Sequence, residues 1–160
     1  LRGIIEKWNA IEALRPYMNE TRARLVIGPQ ANGARYAPDT TVDMSLHHAQ
    51  GALAARYVTT FDLASVATVQ ALYRVDKADG KGRLGPGETL PVVNARVVSP
   101  YGTDHVVALI TAVPPVQFRV LLHTLDNQSA AAQIAAQMRR LPIDQSAQTS
   151  LSIADIHTGK

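Results

Sequence analysis

The chain contains no cysteine, which excludes disulfides, thiolate metal sites and cysteine nucleophiles within its 160 residues. That absence leaves the compartment open, because neither a cytosolic nor a periplasmic protein is obliged to use cysteine. Aromatic residues make up only 5%, with Trp8 the sole tryptophan. No apolar run approaches the roughly 18 residues of a transmembrane helix, so no membrane span is expected. The N-terminus lacks the basic and apolar stretches of a signal peptide. It begins with Leu1 rather than Met, so any targeting signal is sought upstream and localisation stays unassigned.

What is present is a core. Apolar residues reach 46% and charged residues only 18%, a balance expected to fold rather than to stay disordered. The length suits one domain over residues 1–160. Sixteen Lys and Arg against 13 Asp and Glu leave a net charge of +3, too weak a footprint for nucleic acid on its own. Arg15, Arg22, Arg24 and Arg35 form a candidate basic patch, but few aromatics accompany them and no nucleic-acid motif is present. Nucleic-acid binding is therefore not expected.

Residues 1–18 are expected to form an N-terminal helix packed on the domain. Ile4, Ile5, Trp8, Ile11 and Leu14 recur at helical spacing, with Glu6, Lys7, Asn9 and Glu12 opposite, and Pro16 limits the helix. Trp8, on that stripe, is expected to fill the core. A β core is expected over 22–113. Residues 23–27 are a β-prone run closed by Gly28 and Pro29 and followed by the turn pair Asn32-Gly33. Val42, Met44 and Leu46 alternate with Asp43, Ser45 and His47, the period of a half-buried strand. Runs 53–63 and 66–75 read as strands joined by a hairpin connection at 62–65.

Residues 76–91 hold four glycines and two prolines and are expected to be irregular. Runs 94–99 and 105–113 read as two strands pairing antiparallel across the turn 100–104. Residues 115–142 are expected to be helical. The segment 115–125 suits a helix opened by Pro115, although the alternation of Val116, Phe118, Val120 and Leu122 leaves a strand open. Residues 129–141 offer Ser129 as a cap before an alanine-rich stretch. Leu151, Ile153 and Ile156 suggest a last strand over 149–157. The fold class is α+β, mainly β: an antiparallel β-sandwich or barrel-like core of about six or seven strands, with an N-terminal helix and one or two C-terminal helices.

No catalytic, metal or cofactor site emerges from the residues. His47 and His48 are adjacent, which sets them on opposite faces of a strand, while His105, His123 and His157 are dispersed without ligand spacing. A serine triad through Asp104 and His105 lacks a nucleophile elbow. The glycine-rich loop lacks a phosphate-binding signature, and its Asp76, Asp79 and Glu88 lack the calcium-loop pattern.

Two segments carry a resemblance. They are the run from Tyr57 to Tyr73, YVTTFDLASVATVQALY, and the run from Val97 to Leu109, VVSPYGTDHVVAL. Tyr57, Phe61, Leu63, Thr68-Val69-Gln70, Leu72-Tyr73 and the stretch from Pro100 to Ala108 resemble a bacterial domain of unknown function commonly found C-terminal to caspase-like peptidase domains. The resemblance covers roughly residues 24–125, and Arg74 stands where such domains often carry proline. It implies a non-catalytic accessory domain that docks on or regulates the peptidase, whose catalytic His and Cys belong to the preceding domain. Its partner would be that neighbouring domain or another protein. Tyr101, Gly102, Asp104 and His105 are expected to build a structural or interaction turn, Asp104 accepting local backbone hydrogen bonds. A stand-alone protein- or envelope-ligand-binding module is the alternative, with the arginine patch and the 76–91 loop as contact surfaces. An independent hydrolase using Asp104 and His105 is the third.

Overall fold

In a computed structural model that describes residues 1–20, 23–31, 33–49, 54–72, 82–140 and 150–159, the alternation at 42–47 becomes a strand with Val42, Met44 and Leu46 buried and Asp43 and His47 exposed. The described elements run α1 (Arg2–Leu14), a 3-10 turn (Arg15–Tyr17), β1 (Ala23–Gly28), β2 (Arg35–Tyr36), β3 (Thr41–His48) and β4 (Arg56–Leu63). They continue with β5 (Val69–Ala71), β6 (Arg83–Leu84), β7 (Thr89–Arg96), β8 (Thr103–Thr111), α2 (Val116–Thr124), α3 (Ala131–Met138) and β9 (Ser150–Thr158). Among the described residues, strand accounts for 41% and helix for 25%, an α+β fold that is mainly β.

The strands form two sheets. The smaller has the order β1-β3-β7 and is antiparallel throughout. The larger has the order β2-β9-β8-β4-β5, with β6 also on β4. Only its β2–β9 pair is parallel. Pro91 is tolerated in β7 because that strand is an edge of its sheet. The sheets do not close into a barrel, so the barrel-like alternative gives way to stacked layers.

Burial shows how the layers stack. Phe61, Leu63, Val107, Leu109, Leu151 and Ile153 of the larger sheet share one core with Ile11, Leu14, Phe118, Leu122, Ile134 and Met138 of the helices. Val58, Val106, Ala108, Ile110, Ala154 and Ile156, on its other face, share a second core with Leu25, Met44 and Leu46 of the smaller sheet. The larger sheet is therefore the middle of three layers. A strand covered on both faces reads as a continuous apolar run instead of an alternating one, and β8 is buried from His105 through Thr111.

Several expectations are corrected by this arrangement. The segments 94–99 and 105–113 do not form a hairpin: β7 pairs with β3, while β8 pairs with β4 and β9 in the other sheet. The 100–104 turn is a crossing between layers. The last strand is a nine-residue strand inside the larger sheet, so the β core is not confined to 22–113. Its imperfect alternation reflects burial on both faces, with Ser152 satisfied by Leu25 N–H and by Glu20. The first hairpin strand continues through 62–63, and the turn follows it at 64–68, closed by Ala64 N–H to Thr68 O. Within 66–75 only Val69–Ala71 is strand among the described residues. Part of the glycine-rich loop is ordered, since β6 pairs with β4 and β7 begins at Thr89; residues 73–81 lie outside the described set, as does Leu53. Segment 115–125 is helical, but Pro115 stands as its cap and not in its first turn. Helix α3 starts at Ala131 after Ala130, and Ser129 does not cap it.

The N-terminal helix shows the largest departure. Its buried residues are Lys7, Ala10, Ile11 and Leu14, whereas Ile4, Ile5 and Trp8 stay exposed, Trp8 at 42%. Trp8 does not fill the core.

Candidate functional site

Alternation along β8 divides the 104–105 pair between layers. Val106, Ala108 and Ile110 face the smaller sheet and Val107 and Leu109 face the helices, so Asp104 belongs to the first face and His105 to the second. Two neighbouring residues thus serve different surroundings, and they cannot act together as an orienting acid and its base.

On the helical face, His105 is 0% exposed. The Trp8 ring meets it edge-on, 4.8 Å between centroids at 85°. Its Nε2 lies 3.8 Å from Asp155 Oδ1, too far for a hydrogen bond, and neither ring nitrogen has a hydrogen-bond partner. Burial disfavours the imidazolium and the nearby Lys7 charge adds to this, so His105 is lowered to about 4 despite Asp155. Asp155 is also engaged by Arg15, whose Nη2 lies 3.1 Å from Oδ2.

Lys7 enters the same region from α1. It is only 2% exposed, and its ammonium donates to the carbonyl oxygens of Ala64 (2.9 Å) and Thr103. Those carbonyls close β4 and open β8, so the lysine ties the helix to the ends of two paired strands. Burial lowers its pKa, while Asp104, Asp62 and Asp155 work against that shift.

On the opposite face, Asp62 of β4 and Asp104 of β8 line a cleft of about 310 Å³ between the sheets. Asp62 is 8% exposed and its Oδ1 has no hydrogen-bond partner. Burial and the charge of Asp104 push it up to about 7, against the pull of Lys7. Asp104 Oδ1 accepts the backbone N–H of Ser65, a residue far away in sequence, so the expected local turn bonding is replaced by a clamp between two loops. Gly102 explains how close those loops come: a Cβ there would lie 2.7 Å from Ser65 Cβ, so only glycine fits. Tyr101 remains exposed beside it. Of the 101–105 motif, Gly102 and Asp104 are therefore brought together around Ser65, while His105 turns into the other layer.

The described arginines of the candidate basic patch, Arg15, Arg24 and Arg35, lie on separate elements. Arg15 is paired with Glu12 and Asp155, Arg24 is exposed on β1 and Arg35 is exposed on β2, in different sheets. Arg22 lies outside the described residues. His47 is exposed and bonded to Ser45, and His48 is buried against Gly85 O. Among the described residues no three His, Asp or Glu side chains gather as a metal site. Sequence reading missed Lys7, Asp62 and Asp155. The available signal for Lys7 was that 7, 10, 11 and 14 also follow helical spacing.

Fold and site together define a three-layer, mainly β domain with a polar cluster buried beneath its N-terminal helix. No protein-family model and no curated protein matches the chain. Among solved structures it is similar to the Pseudomonas fluorescens alkylpurine DNA glycosylase AlkC bound to DNA containing an abasic site analog, at 15% identity, a TM-score of 0.32, and coverage of 69% of this chain and 32% of that chain. A likeness that loose says nothing of function.

Proposed function

We propose that the chain is a non-catalytic interaction domain that docks on a neighbouring caspase-like peptidase domain through the outer face of α1. The observation that carries this reading is the outward turn of Leu1, Ile4, Ile5 and Trp8, all exposed and within one face of a single helix. Scattered surface apolar residues need no explanation, but a clustered apolar face points to a partner. Trp is also enriched among the residues that dominate interface energetics. The resemblance in segments 57–73 and 97–109 suggests the partner's identity. The accessory role is supported by the lack of cysteine and by the burial of Lys7 and His105, which keeps both from reaching a substrate.

Calorimetric titration of the domain with the caspase-like segment that this reading places upstream in the same polypeptide is the direct test. Saturable binding is expected, weakened by about 2 kcal/mol or more in Trp8→Ala, the scale of an interface hot spot, with the folded circular dichroism spectrum retained. Parent-like affinity in a folded Trp8→Ala, Ile5→Asp double variant would overturn the docking face, and absence of binding would overturn the partner.

A further inference from the structure

The cleft between the sheets lies on the side of the larger sheet away from α1 and has no part in the docking face. Its walls carry Val42 from β3, Val93 from β7 and Ile156 from β9, with Gln70, Arg96 and Thr158 as further polar lining. Its acidic residues are the pair Asp62 and Asp104. Asp62 stands opposite Val106 in the strand register, so Asp104, two residues from Val106, is its diagonal neighbour on the same face. A volume of about 310 Å³ falls at the lower end of small-molecule sites.

The polar atoms of this cleft are not all satisfied internally. Asp104 has one oxygen committed to Ser65 N–H. Asp62, nine-tenths buried, has an oxygen with no donor at all, and a buried acceptor left without a donor is costly. Two nearby cations among the described residues are already engaged. Arg96 at the cleft wall reaches Asp39 at 3.1 Å, and the Lys7 ammonium is held by two backbone carbonyls. A metal ion is poorly matched, because no third carboxylate or imidazole joins the pair among the described residues. The missing complement is a compact cation with several N–H donors and an apolar body. A primary ammonium has three donors and no acceptor, and its alkyl chain suits the valine and isoleucine walls.

We infer that this cleft binds a small aliphatic primary amine, its ammonium between Asp62 and Asp104 and its alkyl chain along Val42, Val93 and Ile156. The bound cation donates to the orphaned oxygen of Asp62 and offsets the repulsion between the two carboxylates. Burial, with that repulsion, is what holds Asp62 up to about 7.

The test is calorimetric titration of the domain with n-pentylamine at about pH 8, where both the amine and most of Asp62 are charged, in parallel with n-pentanol. One saturable site is expected for the amine, with pentanol binding weaker by about tenfold or more, the factor for losing a charge-assisted hydrogen bond. Asp62→Asn is expected to lose a similar factor for the amine while retaining the parent fold. Should that variant fail to fold, Asp104→Asn, which keeps the oxygen facing Ser65 N–H, is read in its place. Equal affinity for amine and alcohol, absence of saturable amine binding, or parent-like amine affinity in the folded Asn variant would each overturn the inference. Trp8→Ala is expected to leave amine binding unchanged, so failure of the docking reading and failure of this one are separable.

Discussion

Burial and the neighbouring charge of Asp104 raise Asp62 from 3.8 to about 7, so its contribution to stability is fully present below 3.8 and is lost as pH rises through 7. His105 runs the other way. Burial and Lys7 lower it from 6.5 to about 4, so its contribution is present above 6.5 and lost as pH falls towards 4. Between those limits the two slopes, each about 1.4 kcal/mol per pH unit, oppose and largely cancel. Unfolding by urea is expected to show a nearly level stability from about pH 5 to 6.5 and a decline of about half a kcal/mol by pH 8. In Asp62→Asn, whose amide stays neutral, only the histidine remains: stability should climb by about 2 kcal/mol from pH 5 to 6.5 and then hold level. A parent that keeps gaining stability above pH 7 would contradict the assignment of the buried carboxylate.

At the scale of the element, α1 shows two rival stripes in one helix. Residues 4, 5, 8, 11 and 14 are the apolar stripe, and residues 7, 10, 11 and 14 are the buried one. The two differ by a rotation of a little under one residue, about 80°. Lys7 decides between them, because its ammonium finds two strand-end carbonyls as acceptors and leaves water only where those bonds are made. Helical periodicity announces the helix, but propensity cannot weigh a hydrogen bond to residues 57 and 96 positions away. The consequence is measurable by denaturation. Ile11→Ala is expected to cost about 2–4 kcal/mol as a core truncation, and Ile5→Ala to stay within about 0.5 kcal/mol as a surface change. Comparable losses at both positions would mean that the helix sits with its apolar stripe inward.

For the whole molecule, the larger sheet serves both cores. Leu109 belongs to the core beneath the helices and Leu46 to the core between the sheets, and β4, β8 and β9 contribute to each. Layers that share their middle sheet are expected to unfold together. Leu109→Ala and Leu46→Ala should each cost about 2–5 kcal/mol, and circular dichroism and tryptophan fluorescence should report one coincident transition in both variants. Trp8 lies on the helical side, so two separated transitions in Leu46→Ala would show that the smaller sheet melts independently.

The sequence by itself determined the class: period two at 42–47, the proline and alanine signals over 115–142 and the helix before Pro16 are local properties, and each fixes an element from its own neighbours. It also ruled out thiol chemistry outright, because that depends on one residue type. Only the tertiary structure decided that β7 and β8 part into different sheets, that β9 enters the larger sheet, and that Asp104 and His105 face different layers. Strand partners are chosen by long-range packing and register, and a strand buried on both faces loses the alternation by which sequence reveals a face. The polar cluster was hidden for the same reason. Lys7, Asp62 and Asp155 are ordinary charged residues in their own segments, and only the stacking of the layers, helix on sheet for Lys7 and sheet on sheet for Asp62, withdraws those two from water and brings the three charges to bear on one another.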